Sequence, residues 1–396
     1  MNMLFLSECF PYPPISGGKL RTYNIIKQIK KLNYEIDLLC LTDSKINENE
    51  VEHMKRYVKS SKAIIIKKKH PILRILNIMK FKSDKEYLCK SNIFKRHIKV
   101  LLKKNDYNFI FCESLWMYQY LYNNKLIDKS KNKLILDVQN VEHEIIYRMM
   151  QNNKNTSVII YSAIENKRIK KLECKYAKDA DLFCTVSNRD KEIYIKLYEL
   201  NEKKVKVIDN GIDISISDNY ENSIKSEDKY ILFIGSLWYR PNYEGIQWFI
   251  KEIWPRIKEI NTDLNLRIIG KFEKKIYYED KDIEFLGFVK DIYTYYKNCA
   301  AFIVPLRVGS GTRLKILEAM SFKVPIISTS VGCEGINVIN KKNIIICDDP
   351  IEFSKEVNDV VNNIYPNMAE EGYNLVKNNY DWNIIGRKLG IYLENV

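Results

Sequence analysis

Residues Val308 to Ser321 read V-G-S-G-T-R-L-K-I-L-E-A-M-S and follow the apolar run Ala301-Phe302-Ile303-Val304-Pro305. The run has the length and composition of a buried strand, and Leu314, Leu317 and Met320 keep helical spacing after it. A strand, a glycine turn and a helix start together suit an anion. The first N–H groups of a helix lack backbone partners, and its dipole favours negative charge there. Gly309 and Gly311 let a ligand approach the backbone closely. Arg313 and Lys315 place cations in the first turn, an unfavourable position unless an anion lies opposite. Ser310 and Thr312 complete the turn, and Glu318 further along can accept from paired hydroxyls such as those of a ribose. Spacing alone also allows a solvent-facing Glu318 and a turn that only caps its helix.

Other polar groups gather at strand ends. Asp137, Gln139, Asn140, Glu142, His143 and Glu144 come directly after the apolar run that starts at Leu134, and His143 is one of only four histidines. A His or Glu there suits proton transfer or ligand orientation. Equally, Asn140 with Glu142 to Glu144 would open a helix toward Met149. Glu113 ends another apolar run, and Gly17-Gly18 precede a helix over about Lys19 to Leu32. Gly235-Ser236 follow the run Tyr230 to Ile234, ahead of Arg240-Pro241-Asn242. Proline holds the residue before it extended, so Arg240 is expected in that form.

Alternating elements must position these groups. Strand patterns at Met3–Ser7, Glu35–Leu41, Ala63–Ile66, Phe109–Cys112, Leu134–Asp137, Leu182–Val186 and Val205–Ile208 alternate with helical ones, the longest over about Asn155–Lys178. A second set of strands follows at Tyr230–Ile234, Leu266–Ile269, Glu284–Leu286, Ala301–Val304, Pro325–Ser328 and Ile344–Ile346. Helices are predicted at about Tyr243–Glu259, Asp291–Asn298, Leu314–Phe322, Ile351–Asn363 and Tyr365–Glu394, with a break at Trp382. The polar stretch Asp209–Lys229 reads as a linker. The pattern predicts two doubly wound α/β domains with parallel sheets, facing a cleft where ligands of such folds bind.

The order of these elements resembles family 4 glycosyltransferases of the GT-B fold. The residues carrying the resemblance are Gly235-Ser236, Arg240-Pro241-Asn242, Gly270, Gly287-Phe288, Pro305, Gly309 through Lys315, Glu318-Ala319-Met320, Pro325, Gly332 and Glu334-Gly335, with Asn210-Gly211-Ile212-Asp213 upstream. The cluster from Asp137 is similar to an Asp-x-(His or polar)-Asn-x-Glu pattern in related transferases. The resemblance implies a retaining, metal-independent, hexosyltransferase-type enzyme that takes a nucleotide-diphosphate sugar as donor substrate and uses no other cofactor. Attack is expected on the front face, with the leaving phosphate helping to accept the proton. The implied donor-site residues are Gly17, Gly18, Gly235, Ser236, Arg240, Asn242, Gly309, Ser310, Gly311, Thr312, Arg313, Lys315 and Glu318, and the catalytic candidates are His143, Glu142 and Glu113. Many members carry a Glu eight residues before the position of Glu318, where this chain has Ser310. Donor-sugar identity therefore does not carry over. Three further readings stay open: a non-catalytic nucleotide-sugar-binding partner subunit, a phosphorylase and an epimerase.

Composition narrows the setting. The chain's 396 residues suit two domains: 1–210, a linker at 211–229, 230–375, and a last helix at 376–396 expected to pack toward the first domain. Nine cysteines lack metal-site spacing and read as buried apolar residues of a reducing compartment. The two Asp-x-Asp stretches, Asp179–Asp181 and Asp280–Asp282, precede strands and read as turns, so no metal site is expected. Met1 to Phe10 reads as a first strand, no apolar run is long enough to span a membrane, and a cytoplasmic location is expected. Residues 51–104 hold 17 Lys/Arg against 3 Asp/Glu, which accounts for the whole net charge of +14. Within them, Phe94–Lys104 alternates basic residues with Ile98, Val100, Leu101 and Leu102, the pattern of a helix on an anionic membrane surface. Nucleic acid is the weaker alternative, and a solvated Lys-rich face remains open. The expected acceptor is a glycan or lipid-linked glycan at the cytoplasmic membrane face.

Overall fold

Strand and helix alternate from Asn2 to the last helix of the chain. The structure, a computed structural model, describes residues 1–79, 83–151, 154–220, 229–271, 280–308 and 312–396. Two units divide it: Met1–Asp209 with Ile385–Val396, and Asn210–Ile384.

Unit 1 runs β1 (Asn2–Ser7), α1 (Gly17–Lys31), β2 (Glu35–Thr42), α2 (Glu48–Met54), β3 (Ser60–Ile65), α3 (Pro71–Met79), α4 (Asp84–Leu88), α5 (Asn92–Lys104), β4 (Phe109–Glu113), β5 (Lys133–Asp137), α6 (Glu142–Gln151), α7 (Thr156–Asp179), β6 (Leu182–Thr185), α8 (Asn188–Tyr198) and β7 (Val205–Val207). The seven strands are parallel, in the order β3-β2-β1-β4-β5-β6-β7. Unbroken apolar runs such as Met3–Leu6 and Ile110–Cys112 are buried, as a parallel sheet covered on both faces requires. Strand order reverses between β1 and β4, which leaves a crevice at their carboxyl ends. The register there sets Ser7 beside Glu113, and Glu113 beside Asp137.

Helix α5 departs from the membrane-facing reading of its apolar residues. Phe94 and Ile98 enter the core against the sheet, and Leu101 and Leu102 pack on it. Only Ile93 and Val100 stay exposed. An amphipathic helix satisfies its apolar stripe on the nearest core, and the lysines are left as its solvent face.

Unit 2 contains α9 (Ser215–Asp218), β8 (Tyr230–Ile234), α10 (Arg240–Trp248), α11 (Trp254–Ile260), β9 (Asn265–Ile269), β10 (Ile283–Gly287), α12 (Tyr293–Asn298), β11 (Ala301–Val304), α13 (Leu314–Ser321), β12 (Ile326–Ser328), β13 (Ile345–Ile346), α14 (Pro350–Val361) and α15 (Met368–Asn379). Its six strands are also parallel, in the order β10-β9-β8-β11-β12-β13, with the reversal between β8 and β11. The polar stretch read as a linker is ordered at its start. Ile212 bridges to Asp381 and its side chain joins the unit 2 core; residues 221–228 lie outside the described residues. The last helix, α16 (Trp382–Glu394), belongs to unit 1 from Ile385 onward.

Candidate active site

In unit 2, β8 and β11 are neighbours across the switch point, so the turns after them share one sheet edge. Lys315, in the first turn of α13, reaches back across that edge. Its Nζ donates to the Ile234 carbonyl at 2.7 Å and to Asn242 Oδ1 at 3.2 Å, and sits 4.8 Å from the Phe233 ring centroid. Asn242 Nδ2 in turn donates to the Ser236 carbonyl at 3.0 Å. This clasp explains Gly235: a Cβ there would lie 2.7 Å from Asn242 Nδ2 and would push Asn242 out of the clasp. Glu318, one turn beyond Lys315, accepts from the Tyr296 hydroxyl at 3.2 Å.

Both ionisable groups are half-buried, and both are held near neutrality. Burial pushes the Lys315 ammonium down to about 7, with the Arg313 charge adding to the effect and Glu318 opposing it. Burial lifts Glu318 to about 7, against the Tyr296 hydrogen bond and the Lys315 charge. The Thr312 hydroxyl is buried and has no hydrogen-bond partner among the described residues. A buried hydroxyl without a partner is rare and marks a place for an acceptor.

Helix starts tell the same story. Asn47 caps α2 and Asp349 caps α14 through their side chains. Arg313 gives α13 no side-chain cap, Ser16 gives α1 none, and neither first turn holds an acid. Such ends keep their positive potential for an external anion. Gly309, Ser310 and Gly311, central to the sequence reading, lie outside the described residues.

Arg240 differs from expectation. It is the first residue of α10, not extended, and its exposed side chain pairs with Glu244 at 2.6 Å. Proline is tolerated in a first helical turn because its missing N–H would have no partner there, so the helix begins one residue early.

In unit 1 the polar row Ser7–Glu113–Asp137 marks the switch point. Asp137 is already neutralised: buried Arg21 of α1 grips it with Nη2 to Oδ1 at 2.7 Å and Nε to Oδ2 at 3.1 Å, and Nη1 donates to the Asp209 carbonyl. Glu113 has no such cation among the described residues. Burial raises it to about 8, and the carboxylates of Glu8 and Asp137 push the same way. A neutral Glu113 fits the hydrogen bonds. Ser7 Oγ lies 2.6 Å from Glu113 Oε2 and 2.9 Å from the Cys9 carbonyl. One hydroxyl proton cannot serve both, but a protonated Glu113 donates to Ser7 while Ser7 donates to Cys9. Gln139 Nε2 donates to Glu113 Oε1. Gly18, whose Cβ would stand 3.2 Å from Gln139 Oε1, leaves room for that side chain.

His143 and Glu142 belong to a different network. Buried Glu173 of α7 accepts from the backbone N–H of Glu142 at 2.8 Å, the Tyr194 hydroxyl at 3.0 Å and the Tyr198 hydroxyl at 2.6 Å, and its Oε2 lies 2.6 Å from His143 Nδ1. Glu142 pairs with Lys85 at 2.9 Å. Glu113 thus groups with Gln139 and Gly18, while Glu142 and His143 are gathered by Glu173. Gln139 was visible as part of the polar cluster. Glu173, Arg21 and Tyr296 carried no signal in the sequence beyond that of ordinary helix residues. The carboxylates of the Asp-x-Asp stretches have local partners: Asp179 with Lys129 and Tyr118, Asp181 with the Leu134 N–H, Asp280 with Trp254, and Asp282 with Lys258.

Two doubly wound sheets, the second with an uncapped helix and a poised lysine at its switch point, define a GT-B glycosyltransferase fold. Sucrose-phosphate synthase from Thermosynechococcus elongatus matches it with a TM-score of 0.69 at 12% identity, covering 100% of this chain and 99% of that one. Anabaena HepE, solved in complex with UDP, matches with a TM-score of 0.68 at 12% identity over 100% of both chains. Residues 15–216 match Glycosyltransferase Family 4 and residues 228–363 match Glycosyl transferases group 1; the chain belongs to glycosyltransferase family 4. A Klebsiella pneumoniae protein, described as an uncharacterized 44.6 kDa protein in cps region, is 26% identical over 401 residues and 96% of each chain.

Proposed function

We propose that this glycosyltransferase moves a hexosyl group from a nucleoside-diphosphate sugar to a glycan or lipid-linked acceptor at the cytoplasmic membrane face, with retention of configuration and without a metal ion. The observation that carries the donor reading is the clasp of Lys315 on Asn242, with Glu318 held by Tyr296 one turn on, beside a Thr312 hydroxyl that has no partner among the described residues and the uncapped start of α13. The leaving diphosphate lies against that helix start, where Lys315 takes up its charge in place of a divalent cation. Glu318 accepts from the ribose hydroxyls. HepE, solved with UDP and with UDP-glucose, supports a nucleotide sugar as the bound species.

Unit 1 serves the reacting sugar and the acceptor. Neutral Glu113 fixes Gln139, and Glu173 fixes His143 and the start of α6. As the bond from the anomeric carbon to phosphate oxygen breaks, the acceptor oxygen bonds to that carbon from the same face. Its proton passes to the departing phosphate, so no protein nucleophile is required.

The test is thermal stabilisation by UDP-, GDP- and dTDP-sugars. A donor at about 100 times its dissociation constant adds roughly 2.7 kcal/mol. Lys315→Ala and Glu318→Ala are each expected to remove most of that shift while the unliganded protein still unfolds cooperatively. Donor binding unchanged in both variants would overturn the assignment. Stabilisation with no nucleotide release, over a panel of acceptors, would instead make the protein a binder.

A further inference from the structure

Helix α3, P-I-L-R-I-L-N-I-M, leaves apolar side chains in solvent beside polar ones that are engaged. Its two polar side chains bond to the protein. Arg74 forks onto buried Asp84, with Nη2 to Oδ2 at 2.6 Å, and buried Asn77 donates to the Ser83 carbonyl at 3.2 Å. Three of its apolar side chains, Ile72, Leu73 and Leu76, are 60%, 49% and 45% exposed. Spaced i, i+1 and i+4, they share one helical face. An ordinary surface helix turns the other way. The groups that bond Arg74 and Asn77 are themselves fixed: Glu165 Oε1 accepts from Ser83 Oγ at 2.5 Å and from the Asp84 N–H at 2.8 Å, and Tyr161 donates to Asp84 at 3.2 Å.

The surrounding charge says what covers that face. Residues 53–83 contain ten Lys/Arg and no Asp/Glu, and of these Lys55, Lys59 and Arg74 are paired with Glu52, Glu35 and Asp84. Lys67 and Lys68, directly ahead of α3, are exposed, while Lys69 folds back to the Lys90 carbonyl at 2.8 Å. A second copy of the chain would bring like charges together at such a face, an arrangement that repels. An acidic, apolar-backed surface complements it. No helix among the described residues is long and apolar enough to cross a membrane, so contact is interfacial.

We propose that α3 is the element by which this protein lies on an anionic lipid bilayer. Ile72, Leu73 and Leu76 enter the boundary between headgroups and acyl chains, while Lys67 and Lys68 meet acidic headgroups. This deepens, and rests on, the membrane-face reading above. It moves the insertion from α5, whose apolar residues are spent on the core, to α3.

The full-length protein is sedimented with vesicles of phosphatidylcholine alone and with about one-third phosphatidylglycerol. Binding is expected to the anionic vesicles only. Ile72→Ser, Leu73→Ser and Leu76→Ser combined should lower partitioning on the order of a hundredfold, while donor stabilisation persists. Lys67→Gln with Lys68→Gln should lower it about tenfold or more. Should the triple variant misfold, Leu73→Trp decides: the emission of the new indole should shift to the blue on anionic vesicles and be quenched by brominated lipid. Wild-type binding that the triple variant retains, or an indole emission in the Leu73→Trp variant that does not respond, overturns the role of α3 and leaves the membrane reading standing. No wild-type binding ends both. A wild-type dimer that the triple variant dissociates assigns the face to a second copy.

Discussion

Lys315 and Glu318 are ordinary residues with displaced titrations, and the displacements have opposite signs. The unfolded chain protonates a lysine up to its ordinary 10.5, whereas folded Lys315 releases its proton near 7. Between those values the unfolded state holds more protons, so this group's contribution to stability grows as pH rises and is lost as pH falls through about 7. Glu318 runs the other way. Raised from 4.5 to about 7, it contributes most below 4.5 and loses that contribution as pH rises through about 7. Donor binding needs the lysine charged against phosphate and the carboxylate charged against ribose. Affinity is therefore expected to peak close to neutral pH, with the dissociation constant rising about tenfold per pH unit on the alkaline limb. Calorimetric titration of a nucleotide sugar at about pH 8, in buffers of different ionisation enthalpy, should show uptake of close to one proton. Glu318→Gln should flatten the acid limb and leave the alkaline one. An affinity that is level from about pH 6 to 9 would show that neither group meets the donor.

The elements that carry these residues were legible to different depths. Long apolar runs such as Met3–Leu6 and Ala301–Val304 announce parallel strands, because a strand covered on both faces has no reason to alternate. The start of α13 was legible from a different cue, the helical spacing of Leu314, Leu317 and Met320 directly after a buried strand. The partners of buried groups were not. Asp137 is neutralised by Arg21, 116 residues away in sequence, and His143 is held by Glu173, which sits among lysines as though on a surface. Pairings of that kind are made by the sheet, and spacing along one helix does not encode them. Arg21 gives an element-scale prediction, since it ties α1 to the end of β5 and to Asp209, two residues past β7. Arg21→Met leaves Asp137 buried and unpaired, and should cost about 3–5 kcal/mol in chemical denaturation. The double change Arg21→Met with Asp137→Leu should recover a good part of that loss. Equal losses in the single and double variants would mean that shape, not charge, is what Arg21 supplies.

At the scale of the whole molecule, unit 1 is discontinuous: the chain leaves it after Asp209 and returns at Ile385. Its completion therefore waits on the last twelve residues, which arrive after all of unit 2 has been made. The return is packed closely. A Cβ at Gly386 would collide with Gln28 Oε1 of α1, and one at Gly390 would come within 3.0 Å of Leu32 Cδ2. Lys388 Nζ stands 3.7 Å from Asp209 Oδ2, across the point where the chain departs. Small residues on one face of α16 thus let it lie against α1, the helix whose uncapped start and Arg21 serve the unit 1 switch point. Overfilling that contact should damage unit 1 selectively. Gly386→Leu is expected to destabilise unit 1 by roughly 1–3 kcal/mol, the usual range for extra methylenes forced into a packed contact. In calorimetry a single cooperative transition should broaden or split, with nucleotide-sugar stabilisation kept by the part that contains Lys315 and Glu318. A variant whose two units lose stability in equal measure would show that they unfold as one body, and that the closing helix belongs to the whole chain and not to unit 1.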